Sequence, residues 1–231
     1  MLLVNHRRAV GLALFTTGAG LLLLVLVADP VTRPTVQRVD DAWLDGVRAA
    51  RVAPLTLVAR ALDVLGGVWI TAPVRVGLAV WLAHRRRWAH LGALVLAVVA
   101  SEVGIGQLKD LVERARPPSP LVHTTGFSFP SGHATATAVS ALALVIMLLP
   151  PGPARWGWEV RAVSFSLAMA LSRTYLEAHW LSDAVAGTLF GTAVMLASVV
   201  VVVGLRNRLR PRMFPETPLP GPPQDLPARH R

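Results

Sequence analysis

Runs of about twenty apolar residues, separated by short clusters of arginine, constrain this chain more than any other feature. A soluble helix or strand interleaves polar residues at a period of about 3.6 or 2, and a continuous run of that length does not. Ala9 to Ala28 is the first such run, and it follows Arg7-Arg8. A secretory leader has a shorter apolar stretch and a small-residue cleavage site, so this run reads as a retained first helix. Five further spans follow at roughly 66–83, 88–108, 133–149, 160–176 and 183–205. Composition agrees: 53% of the residues are hydrophobic and 16% are charged, where a soluble domain carries about a quarter charged.

The net charge of +10 comes almost entirely from arginine. The arginines gather between the apolar runs: Arg7-Arg8, Arg85-Arg86-Arg87, Arg155 with Arg161, and Arg206 through Arg212. That spacing suits cytoplasmic loops under the positive-inside rule and not a nucleic-acid face. It puts both termini in the cytoplasm, with the connections at 84–90 and 150–160 inside and those at 29–65, 109–132 and 177–182 outside. Only the first outer connection is also rich in arginine, and long loops weigh less in that rule. Residues 29–65 mix prolines with both signs of charge, and amphipathic helices at 41–50 and 55–65 fit an interfacial segment. The stretch 211–231, dense in proline and charge, reads as a disordered cytoplasmic tail. The expectation is an all-α, six-transmembrane-helix bundle with an external interfacial segment between helices 1 and 2. It forms one domain over 1–210, with a motif-bearing core at about 66–205. The absence of cysteine excludes disulfides, thiolate metal sites and a cysteine nucleophile.

Two charges fall inside expected spans. Counted at ~1.5 Å per residue from the arginine turn, Arg75 lies about 15 Å deep and Glu102 about 21 Å. A lone charge there is costly, so the two are expected to pair.

Three segments hold the remaining unusual polar residues, and the topology places all of them at the outer face. Lys109 is the only lysine, against 22 arginines, and Arg116 follows about two helical turns later, so both can share a face. Pro117 disfavours helix at Arg116 and is expected to end the segment there. Snorkelling interfacial cations account for this pair as well as phosphate binding does. Pro130-Ser131-Gly132-His133 stands at the start of the fourth span, where serine caps a helix and glycine lets a ligand approach the backbone. That helix end favours an anion, and His133 can protonate a leaving oxygen. Ser172-Arg173 closes the fifth span, and His179 and Asp183 open the sixth. A chain break around Glu177-Ala178 would turn Arg173 and His179 into one pocket. Asp183, one turn after His179, can hold one ring nitrogen and leave the other free to attack. An ordinary capped helix and an interfacial His–Asp contact are the plain alternatives for the last two segments. Together, three cations, a helix N-terminus and two histidines supply what phosphoryl transfer requires, with no carboxylate cluster that points to a metal.

Lys109-x6-Arg116-Pro117, Pro130-Ser131-Gly132-His133 and Ser172-Arg173-x5-His179-x3-Asp183 resemble the three signature motifs of the type 2 phosphatidic acid phosphatase superfamily, complete and in order. The resemblance implies His179 as a nucleophile that forms a phosphohistidine, Asp183 as its orienting partner and His133 as the acid for the departing alkoxide. It implies Lys109, Arg116, Ser131, Gly132 and Arg173 as the phosphate cradle. It also implies a metal-independent enzyme without a cofactor, acting at the outer face on a membrane lipid phosphomonoester or an isoprenoid pyrophosphate. A lipid phosphotransferase or a non-catalytic lipid-phosphate carrier would use the same groups. A vanadate-dependent haloperoxidase shares the motifs but is typically soluble.

Overall fold

The computed structural model of the protein describes residues 6–209, and among them the regular structure is entirely helical. Eight helices follow one another: α1 (His6–Ala28), α2 (Arg33–Ala49), α3 (Ala53–Gly66), α4 (Val68–His84), α5 (Trp88–Val112), α6 (Gly132–Leu148), α7 (Pro153–Tyr175) and α8 (Leu181–Leu209). The tail expected at 211–231 lies outside the described residues.

Proline and backbone geometry set most of the boundaries. α2, α3 and α7 each open with proline in the first turn, where its missing N–H costs nothing. Gly67 is extended (φ −68°, ψ 160°) and separates α3 from α4. α5 ends on Glu113, which takes a left-handed conformation (φ 44°), with its N–H bonded to the Lys109 carbonyl. Helix therefore stops before Arg116, and Lys109 and Arg116 do not share a helical face as the spacing suggests. The left-handed cap ends the helix three residues before Arg116, so Pro117 is not what stops it.

Among the described residues three helices, α1, α5 and α8, are long and apolar enough to cross a membrane, or four spans if α3 and α4 count as one bent by 44°. The six expected spans are not all of this kind. α4 and α6 have 17 residues each, short of the ~20 that cross hydrocarbon. α7 is longer but carries Arg155, Glu159, Arg161 and Arg173. The segment read as an interfacial connection is almost wholly helical, as α2 and α3. Large apolar side chains face outward along the bundle, among them Phe15 at 70% and Trp69 at 88% exposure. An apolar exterior of this extent suits lipid rather than water.

One core cluster joins Leu78 and Leu82 of α4, Leu94 of α5, Val139 and Met147 of α6, and Met195 and Val199 of α8. Between α6 and α8 the backbones approach closely through small residues, as in many membrane bundles. A methyl group at Gly187 would collide with the Ser131 carbonyl oxygen, and one at Gly191 would stand 2.6 Å from the Thr135 carbonyl oxygen. The Thr135 hydroxyl lies 2.9 Å from the Ser131 carbonyl and 3.0 Å from the Gly187 carbonyl. The start of α6 is thereby pinned against the first turns of α8.

The intramembrane charges pair as expected. Arg75 NH1 donates to Glu102 Oε1 at 2.7 Å. The guanidinium is completed by the Ser140 hydroxyl at 2.9 Å and the Ala136 carbonyl at 3.1 Å, both on α6.

Candidate active site

Positive φ at Glu177 (54°) breaks the chain between α7 and α8, where the sequence suggests a turn. The Arg173 carbonyl accepts from the backbone N–H of Ala178 at 3.0 Å and of His179 at 3.3 Å, which folds His179 back over the end of α7. The imidazole is buried, and its Nδ1 lies 2.8 Å from the Ser128 carbonyl oxygen. A carbonyl only accepts, so Nδ1 carries the proton and Nε2 keeps its lone pair. Arg116 NH1 faces that nitrogen at 3.2 Å. Burial, only partly opposed by Asp183, pushes the His179 pKa down to about 4, so the ring is neutral at pH 7.

Asp183 sits in the first turn of α8, fully buried. Its Oδ2 accepts from the Ser128 hydroxyl at 2.5 Å and the Trp180 N–H at 3.0 Å, and its Oδ1 accepts from Arg114 at 2.8 Å. Oδ2 is 3.7 Å from His179 Nδ1, beyond hydrogen-bond range. The one-turn spacing does bring carboxylate and ring together. The hydrogen-bonded link, however, runs through Ser128, whose carbonyl accepts from the ring Nδ1–H while its hydroxyl donates to Asp183. Ser128 precedes the cis Phe129-Pro130 peptide that leads into α6.

Arg116 is spent largely on backbone. It donates to the carbonyls of Thr125 (2.8 Å), Gly126 (2.9 Å), Phe127 (3.1 Å) and Ala178 (2.7 Å). Burial lowers its pKa somewhat, yet it stays a cation at pH 7. Lys109, three residues before the end of α5, also donates to the Phe127 carbonyl. The two cations thus converge on one carbonyl despite the early end of the helix.

At the other wall, Ser131 caps α6 by accepting from the Ala134 N–H at 3.5 Å. Among the described residues beyond its chain neighbours and its own helix turn, none comes within 4 Å of where a side chain at Gly132 would begin, so space is open beside the helix N-terminus. His133 Nε2 lies 3.2 Å from Asp63 Oδ1, and the same oxygen contacts Arg173 NH1. Arg173 is buried, and neither its Nε nor its Nη1 makes a hydrogen bond among the described residues, so Asp63 meets it as a charge contact alone. An unpaired guanidinium donor in a buried site is costly unless a ligand supplies an acceptor, and a phosphate oxygen has that chemistry.

All eight residues singled out in the sequence thus lie in one linked cluster. The structure adds partners that the motifs do not contain. Arg114 bridges Asp183 to Asp40 of α2, with Arg114 NH2 2.6 Å from Asp40 Oδ2, while Asp40 also accepts from the Ser182 N–H (2.8 Å) and hydroxyl (2.6 Å). Gln37 accepts from Arg114 as well, at 2.6 Å. Glu177 takes Arg48 at 2.6 Å and Arg51 at 2.7 Å, both reaching across from the α2–α3 region. Arg114 had a visible signal, a third cation between Lys109 and Arg116. Asp40 and Asp63 had none, because they sit in amphipathic helices whose charges look solvated.

Comparison with known proteins places this geometry. Phosphatidylglycerophosphatase B of Bacillus subtilis is 28% identical over 179 residues, covering 74% of this chain and 86% of that protein. The decaprenylphosphoryl-5-phosphoribose phosphatase of Mycolicibacterium smegmatis is 34% identical over 160 residues, 65% of this chain and 82% of that protein. The crystal structure of a transmembrane PAP2-type phosphatidylglycerolphosphate phosphatase from Bacillus subtilis superposes with a TM-score of 0.71 at 25% identity. That alignment covers 89% of this chain and 98% of the other. These relatives are phosphatases of membrane lipids, and the apolar helices make this chain a multi-pass membrane protein. The family model of the PAP2 superfamily matches residues 88–208, more than half of the sequence and every residue of the three motifs, and the chain belongs to that superfamily.

Proposed function

We propose that this protein hydrolyses a lipid phosphomonoester or an isoprenoid pyrophosphate through a phosphohistidine on His179. The observation that carries the reading is the Ser128 carbonyl on His179 Nδ1, which leaves the Nε2 lone pair beside the Arg116 guanidinium. A neutral imidazole with a fixed tautomer is ready to attack without first losing a proton.

In the first step Nε2 attacks phosphorus in line, an N–P bond forms and the P–O bond to the lipid alcohol breaks. His133, protonated at Nε2, gives its proton to the departing oxygen. In the second step a water attacks the phosphohistidine, His133 takes its proton, and the N–P electron pair returns to His179. The products are the lipid alcohol, or the lipid monophosphate from a pyrophosphate, and inorganic phosphate. Arg173, the start of α6 at Ser131-Gly132, and the Lys109 and Arg116 cations stabilise the equatorial oxygens. Those cations and the helix terminus meet the charge demand that a metal meets elsewhere, and the reaction proposed is metal-independent.

Six membrane crossings, with the α3–α4 pair, α6 and α7 completing the set, put the motif ends at the outer face and both termini in the cytoplasm. The arginine turns at Arg85-Arg86-Arg87 and Arg155 with Arg161 support that orientation. The two named relatives act on a glycerophospholipid phosphate and a polyprenyl-linked phosphate, so both lipid classes are candidates.

The test is phosphate release by the purified protein in detergent from phosphatidic acid, phosphatidylglycerol phosphate and undecaprenyl pyrophosphate, with and without EDTA. Release from at least one of the three, undiminished by chelator, is expected. Loss of the lipid phosphate only when another alcohol is supplied, with the phosphate recovered on that alcohol and none released, would make the protein a phosphotransferase, and loss of activity with EDTA would restore a metal.

A further inference from the structure

We propose that Asp63 is an affinity-determining residue, whose carboxylate stands where a phosphate oxygen binds between His133 and Arg173 and must be displaced by substrate. The inference rests on the phosphate-site reading above.

Three observations carry it. First, one oxygen of Asp63 is shared by His133 Nε2, at 3.2 Å, and Arg173 NH1. Those are the atoms proposed to meet the leaving oxygen and an equatorial oxygen of the substrate. A single anionic oxygen between an imidazole and a guanidinium reproduces what a bound phosphate would place there.

Second, Asp63 differs from the other carboxylates around the site. Asp183 is gripped by Ser128, Trp180 and Arg114, and Asp40 by Ser182 and Arg114, and both are fully buried. The Asp63 side chain keeps 24% of its exposure, so rotating it into solvent requires no unfolding.

Third, the local fold aims it at the site. Asp63 lies in the last turn of α3, and Gly67 directs the chain into α4 through a 44° bend. A side chain at Gly67 would begin only 3.8 Å from His133 Nε2, so this junction rests against the imidazole.

The carboxylate has two consequences. It offsets the charge of buried Arg173 while no phosphate is bound, where a cation without counter-charge would be costly. It also weakens the site for any anion, including the product, because a dianion entering the pocket has to expel a charge of its own sign. Release of inorganic phosphate is thereby favoured after the second step.

The experiment compares competitive inhibition by inorganic phosphate and by orthovanadate in the wild type, Asp63→Asn and Asp63→Ser, each purified in detergent with its thermal transition recorded. Asparagine keeps the shape and removes the charge. Both inhibitors are expected to bind the variants about tenfold more tightly, equivalent to ~1.4 kcal/mol, with KM for the lipid falling in parallel. A purely structural residue cannot give that gain, since its loss loosens the site. Wild-type inhibition with unchanged or weaker binding in the variants overturns the role of Asp63 alone. Loss of folded protein in both variants also counts against it, because a displaceable carboxylate is not required for folding. If neither anion competes with lipid in any form of the protein, the phosphate-site reading fails and takes this inference with it.

Discussion

Helices α5 to α8 and the α2–α3 segment contribute different parts of the site, each completing charges that the other leaves open. The first region supplies the imidazoles and the cations that carry the proposed chemistry, at helix ends and in the connections between them. The second supplies Asp40 and Asp63, which meet Arg114 in one case and Arg173 with His133 in the other. It also supplies Arg48 and Arg51, which close on Glu177 at the turn before His179. A cluster of cations gathered in a low-dielectric site is unstable without counter-charge, and here that counter-charge comes largely from outside the residues matched by the family model. The reacting groups are thus held by a region that performs no bond-making itself.

If that division holds, substitutions in the first region should abolish turnover with the fold intact, and those in the second should act through position, affinity or stability. The largest effect belongs to His179→Ala. Loss of phosphate release by about 10⁴-fold or more is expected, with an unchanged thermal transition in detergent. Near-normal turnover would break the comparison at its centre.

His133→Ala follows. An acid for the leaving group is worth about 10²–10⁴-fold, so hydrolysis of an alkyl phosphate should fall by that much and p-nitrophenyl phosphate by far less. Steady-state rates on the two substrates decide it, and equal losses would remove His133 from the acid role.

Arg114→Ala should show itself first in stability. It leaves Asp40 and Asp183 buried without their shared cation, and breaking a buried pair of this kind costs about 3–5 kcal/mol. A denaturation midpoint that drops while a fraction of activity survives would mark Arg114 as a support of Asp183. An unchanged midpoint would show that the Asp40–Arg114–Asp183 chain does not hold the two regions together.

Glu177→Gln gives the smallest effect, confined to acid conditions. Burial raises the Glu177 pKa, but hydrogen bonds from Arg48 and Arg51 outweigh it and hold the carboxyl below its usual range. A group whose folded pKa is depressed contributes stability that is complete above its unfolded value, about 4.3, and is lost as pH falls through the folded value. Thermal melts of the wild type should therefore decline in that window, and the decline should be smaller in the glutamine variant. Parallel curves would exclude Glu177 as the clasp between α2 and the His179 turn.

The residues that gather in the candidate site were legible in the sequence because the groups that phosphoryl transfer would need leave a dense local signature. Arg116-Pro117, Ser131-Gly132-His133 and His179 with Asp183 each combine a helix end with a charged or titratable group. The Arg75–Glu102 pair was legible too, since a lone charge in an apolar run demands a partner at similar depth. Crossing number was less so: α4 and α6 are short and α7 is dilute in apolar residues, and a run of letters does not show that α3 and α4 meet at a 44° bend. The link through Ser128 was hidden by the one-turn spacing of His179 and Asp183, which suggests a direct bond that the turn geometry does not make. Asp63 was hidden for a different reason. Nothing local distinguishes it from any charge on an amphipathic helix, and only the fold brings it to His133 from 70 positions earlier in the chain.

The most direct test is to quench the protein during turnover of a lipid phosphate and map covalent phosphate by mass spectrometry under alkaline conditions, which preserve phosphohistidine. The account predicts an acid-labile phosphate on His179, absent from the His179→Ala protein. A phosphate found on any other side chain, or full turnover with none on the protein at any quench time, would contradict it.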